Sequence, residues 1–242
     1  MFTFATKQSP IVKLWGDGLI LYKDAFLKIW YILLVLMLIS GVLQYAITLV
    51  PLDNLMNTKH GVNRDVIFLA LTTVVNLMVQ FYCIGLIFNR MYNVGLGADL
   101  KLSKAMKLIR SKYWSLCSTT AAVFVLVLLG IVLLVIPGIF LGVALMFSIP
   151  VVICQDTTAW KAITTSFKLV WGYWWRTVAV IFPIFFMQLL YTGIIVEIAH
   201  KNSLALGAVN ILVGTFFSSL FYAFILVQFN DLKLRKKFKI SL

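Results

Sequence analysis

Charge is what this sequence has least of. Only 12% of its 242 residues are charged, against 62% hydrophobic, and the mean hydropathy is +1.00. Acids are the scarcer sign, with eight Asp and Glu against 21 Lys and Arg. A chain of this size folding in water could not hide so much apolar side chain, so a soluble globular domain is excluded and the bilayer is its solvent. Between Lys112 and Asp156 there is no charged side chain at all. Those 43 residues in one helix would run about 64 Å, about twice the hydrocarbon thickness, so the stretch must turn back on itself.

The sequence is as sparing with catalytic chemistry. Its two histidines, His60 and His200, fall in connections between spans, and no HExxH accompanies them. Glu197 precedes His200 by three residues, yet Glu197 and Lys201 read equally well as a surface pair at i and i+4, so no metal is expected. Cys83, Cys117 and Cys154 are odd in number and lie toward the basic ends of spans, where thiols stay reduced and pack as small hydrophobes. There is no GxSxG and no carboxylate pair for acid and base work. The glycines of "VGLGAD" at 94–99 lack a third glycine and a preceding strand. No catalytic residue, no cofactor and no enzyme activity are expected. Nor does any ionisable residue lie deep in a span, which argues against proton-coupled transport.

What is present is a series of apolar runs. A span of about 20 residues gives six, at roughly 25–50, 66–89, 113–136, 139–155, 174–197 and 204–229. The basic residues test that number independently. Counted over alternate connections, one side holds 18 of the 21 cations and five of the eight acids, for +13; the other holds three of each. The positive-inside rule then puts both termini and the basic tail 230–242 in the cytoplasm. No fingerprint of zinc ligands or stacking aromatics points to nucleic acid, and the anionic inner leaflet is the simpler partner for this charge.

The basic connections share a pattern. "DTTAWKAITTSFKLVWGYWW" sets Trp160, Ile163, Phe167, Val170 and Trp171 at steps of three and four, with Lys161, Thr164, Thr165 and Lys168 opposite. This predicts an amphipathic interfacial helix over 157–171. Displaced by 57 residues, Lys104, Ala105, Met106 and Trp114 match Lys161, Ala162, Ile163 and Trp171, predicting a second interfacial helix at 102–111. A looser third copy, opened by Ser9 as cap and Pro10 at the first helical position, is expected at 10–22, weakened by Gly16 and Gly18. The fold expected is therefore all-α: one transmembrane domain of six helices in three hairpins, each introduced by a cytoplasmic interfacial helix. In the uncharged run "LLVIPGIFLGVALMFSIPVVICQD", Pro137 and Gly138 are expected to form the turn between spans three and four, and Pro150 to kink the short fourth span.

"VIPGIFLGVALMFSIPVVICQD" followed by "AWKAITTSFKLVWGYWWRTVAVI" resembles the bacterial YciC-like inner-membrane family. More distantly it is similar to the membrane domain fused to some glycerophosphodiester phosphodiesterases. The resemblance is best over about residues 99–190, and it implies six helices in an inner membrane without implying an activity.

Two sets of residues remain as candidates. Lys104, Lys107, Arg110, Lys161, Lys168, Trp171, Trp174, Trp175 and Arg176 combine basic heads with an aromatic belt; they either hold anionic headgroups or simply fix helix depth. Gln44, Asn76, Gln80, Asn210 and Ser218 recur within spans as a polar face; they are either helix-packing contacts or walls of a polar pathway. The function expected is membrane organisation or lipid association, with anionic lipids as partner. A small transporter or permeation subunit, and an accessory subunit with a protein partner or in a homo-oligomer, are the alternatives.

Overall fold

The computed structural model describes residues 2–48, 64–98, 100–155, 157–199 and 204–236. The connections carrying His60 and His200, the acids Asp99 and Asp156, and the last six residues lie outside the described residues. The described chain is helical, without strands. The helices are α1 (Ile11–Thr48), α2 (Arg64–Gly95), α3 (Leu102–Leu133), α4 (Val135–Leu145), α5 (Ser148–Gln155), α6 (Ala159–Val170), α7 (Trp174–Ala199) and α8 (Leu204–Arg235). Six helices are long and apolar enough to cross a membrane, the fourth being α4 and α5 taken together. The protein is a multi-pass membrane protein.

Helices α1 and α2, α3 and α4, and α7 and α8 pack as pairs; α2 against α3 and α1 against α8 join them. The pairing of α1 and α2 is antiparallel, since Arg90 reaches the Lys28 carbonyl while Ser40 meets Asn76. The core is concentrated toward the end that holds residues 2–10 and 231–236, where Leu21, Ile29, Ile87, Met91, Leu226 and Phe229 are fully buried. Away from it α1, α2 and α3 turn apolar side chains outward, as a lipid solvent allows.

The helix boundaries differ from expectation in three places. Residues 10–22 and 102–111 are not separate helices: each is the first part of a long continuous one, α1 and α3. Gly16 and Gly18 do not fray α1, and Gly18 lies against the ring of Phe224 on α8. Only the copy expected at 157–171 is a helix of its own, α6. It ends because Gly172, at φ +86, takes the left-handed conformation open to glycine and so separates α6 from α7. The position 57 residues earlier is Ser115, where the helix runs on.

The turn between spans three and four falls at Leu134, extended at φ −163 and ψ 137, rather than at Pro137 and Gly138. Pro137 lies in the first turn of α4, where its missing N–H costs nothing. Gly138 has a packing role instead. A Cβ there would lie 2.3 Å from the Ile131 side chain and 2.7 Å from its backbone nitrogen. The fourth span does break before Pro150. Met146 and Phe147 form a turn between α4 and α5, because Pro150 offers no N–H to the Met146 carbonyl and its ring would clash with it. Ser148 Oγ donates to the Leu145 carbonyl at 2.7 Å, satisfying one group freed by the break.

Candidate functional site

The basic end of the bundle has two faces, one turned inward and one turned out. Inward lies a buried ion cluster. Asp231 on α8 is only 2% exposed. Its Oδ2 meets Arg176 of α7 at 3.1 Å and Arg235 of its own helix at 2.7 Å. The Ser9 backbone N–H donates to Asp231 Oδ1 at 2.9 Å, and both guanidinium groups donate to the Ser9 carbonyl. The extended segment 2–10 is thereby strapped across the end of the bundle. Farther along it, Asn230 Nδ2 donates to the Ala5 carbonyl at 3.0 Å and Phe4 N–H donates to the Gly95 carbonyl at 2.7 Å. Ser9 accordingly serves the cluster, and the Pro10 carbonyl accepts the first hydrogen bond of α1, from Leu14 N–H at 3.2 Å.

Arg176 is thus placed differently from the headgroup position expected of it: its charge is spent within the protein. Trp174 also turns inward. Its Nε1 donates to the Phe140 carbonyl at 3.3 Å and its ring stacks on Phe140 at 5.6 Å, tying α7 to α4. The other candidates face out. Lys104, Lys107 and Arg110 on α3, Lys161 and Lys168 on α6, and Trp171 and Trp175 beside them are all exposed. The apolar face of α6 is rotated from the one expected, because Ala162, Ser166 and Leu169 join Ile163 and Val170 in burial while Trp160 and Trp171 stay out. Small residues win that face because α3, α4 and α5 pack closely on it, with Ser166 Oγ donating to the Ala144 carbonyl at 2.7 Å.

Beside the outward face runs a groove of about 720 Å³ between α1, α2 and α3. Its walls are apolar and aromatic, with Arg110 the one charged lining residue among the described residues. Tyr82 and Tyr113 line it, their hydroxyls donating to the Met106 and Met78 carbonyls at 3.5 and 3.1 Å. Trp114, four residues beyond Arg110, is 75% exposed at its edge.

The described polar side chains within the spans do not converge on this groove; none of Asn76, Gln80, Asn210 and Ser218 lines it. Ser40 Oγ donates to Asn76 Oδ1 at 3.4 Å between α1 and α2. Ser218 accepts from Gln188 Nε2 at 3.5 Å between α7 and α8. Gln80 is half-buried on α2, Asn210 is exposed on α8, and the Gln44 side chain lies outside the described residues. Pairs the sequence did not single out follow the same rule: Tyr22 with Ser219 at 3.3 Å, and Thr177 with Gln228 at 3.2 Å. Among the described residues no three His, Cys, Asp or Glu side chains gather as a metal site, and the Glu197 side chain lies outside them. Cys83, Cys117 and Cys154 carry free thiols.

The ion cluster escaped sequence reasoning because its members are distant in the chain. One signal was present: Asp231 and Arg235 stand at i and i+4, the spacing of a helical ion pair. The chain matches no protein-family model, no curated protein and no solved structure.

Proposed function

We propose that this protein is a non-enzymatic component of a bacterial inner membrane that gathers anionic lipid around its basic end and helps to organise the leaflet there. The observation that carries this reading is the outward set of cations, Lys104, Lys107, Arg110, Lys161 and Lys168, standing with exposed tryptophans at the end of an apolar bundle. Each near-surface Lys or Arg contributes about 1 kcal/mol toward an anionic leaflet. The positive-inside bias supports a cytoplasmic position for that end, and the resemblance to the YciC-like family supports the same membrane. The bonds of Asn76 and Ser218 to neighbouring helices favour packing over a polar pathway, which weakens the transporter alternative.

The test is lipid selectivity in reconstituted vesicles, with spin-labelled phosphatidylglycerol compared with spin-labelled phosphatidylcholine. The anionic label is expected to be enriched severalfold at the protein. That enrichment falls in high salt, and it falls again when Lys104, Lys107, Lys161 and Lys168 are replaced by alanine. Equal immobilisation of the two labels removes the reading.

A further inference from the structure

The groove between α1, α2 and α3 points to a specific occupant, and we propose that it seats one anionic phospholipid, an acyl chain along its apolar floor and the phosphate at Arg110. The inference rests on the lipid reading above and narrows it from a surface property to a single resident molecule.

Length is the first argument. On α1 the groove runs from Tyr31 to Ile39 and on α2 from Met78 to Leu86, eight residue steps in each case. At a rise of 1.5 Å per residue that is about 12 Å, close to the depth of one leaflet's hydrocarbon, about 15 Å. A transmembrane helix from a partner protein needs a seam of about 30 Å. The groove suits a chain that ends within one leaflet.

Position is the second. Tyr31 follows Lys28 by three residues and Leu86 precedes Arg90 by four, so the groove begins within about one turn of the last charges on both helices. A lipid anchored there enters from the basic side. Charge is the third. Arg110 has no carboxylate partner among the described residues, unlike Arg176 and Arg235. Helical side chains lean toward the helix N-terminus, which carries its guanidinium back toward the basic end. A planar fork of donors beside an apolar slot matches a phosphodiester above an acyl chain. The volume, about 720 Å³, lies within the range of ligand sites.

The experiment is native mass spectrometry of the full chain in mild detergent, delipidated and then titrated with phosphatidylglycerol or phosphatidylcholine. One phosphatidylglycerol is expected to bind at least about tenfold more tightly than phosphatidylcholine. Arg110→Gln removes that preference. Val35→Trp blocks binding of both lipids; Val35 lines the groove at 47% exposure, so the larger ring fills the slot without entering the core. Both variants are checked by elution volume and melting temperature. Lys161→Ala with Lys168→Ala leaves the single site intact. Retention of the bound lipid in both groove variants overturns the proposal, as does equal affinity for the two lipids. A stoichiometric polypeptide retained in place of lipid overturns it too. Loss of bound lipid in the lysine variants alone sinks the groove while sparing the broader reading; absence of anionic selectivity here and in vesicles sinks both.

Discussion

Replacing Asp231 by asparagine tests the strap directly. The substitution keeps the shape of the side chain and removes its charge, leaving two guanidinium groups, 3.1 and 2.7 Å away, without a counter-ion. Removing one partner of a buried pair typically costs 3–5 kcal/mol. Here both arginine side chains are 17% exposed and recover part of their hydration, so the cost falls to about 2–3 kcal/mol. The loss is concentrated on the segment that Asp231 holds, because the helices keep their own backbone bonds. At 1.36 kcal/mol per factor of ten, opening of the strap becomes roughly 30 to 150 times more frequent.

Hydrogen exchange followed by mass spectrometry reads that change at the Phe4 amide, which donates to Gly95 across the strap. The amides around Leu226, in the buried part of α8, serve as the internal reference. A folded Asp231→Asn protein in which Phe4 exchanges at the wild-type rate refutes the clamp. A double variant adding Arg176→Gln sharpens the test: because the second change removes one of the uncompensated cations, its cost is expected to be less than additive.

Gly138→Ala forces a methyl to within 2.3 Å of Ile131 and should lower stability by about 1–3 kcal/mol, read as a falling melting temperature in detergent. Gly142→Ala in the same helix meets nothing within 4 Å and is the matched control. Gly172→Ala should cost about 1–2 kcal/mol through its left-handed backbone, and an unchanged melting temperature would show that α6 and α7 do not need that turn. Asn76→Leu should cost about 0.6 kcal/mol, the usual worth of a bond between membrane helices, and should leave vesicle permeability to small solutes unchanged. A large permeability change would revive the transport alternative.

The six spans were legible because a long apolar run without charge is stable only in hydrocarbon or deep inside a large core, and 242 residues cannot build a core that large. The helix breaks were less so. A helix that begins as a polar segment can continue into the membrane unless a residue forbids it, and α3 passes Ser115 where the corresponding step between α6 and α7 meets Gly172. Periodicity gives a polar segment its faces but not its end. The prolines were partly legible for the same reason. Each marks a helix start by the bond it cannot make, yet the chain turns three residues before Pro137 and Pro150, at Leu134 and at Phe147.

Direction was harder to read than position. Counting cations locates them at one end of the bundle without saying which way each faces. Lys233 lies over the rings of Phe229 and Tyr92 at 5.2 and 5.8 Å. Arg235 and Lys236 lie over Tyr173 at 5.9 and 5.6 Å. These tail charges, which look in sequence like the most obvious membrane-binding element, are turned onto the protein as far as the chain is described, and Arg176 joins them through Asp231. The lysines on α3 and α6 are unlike them, because their helices pack through Ala105, Ile109, Ala162 and Leu169 on the opposite side and leave the charged face outside. A lipid reading built on net charge would therefore weight the tail most heavily. Built on geometry, it rests on α3 and α6, and neutralising Lys104, Lys107, Lys161 and Lys168 should cost more anionic selectivity than neutralising Lys233, Arg235 and Lys236.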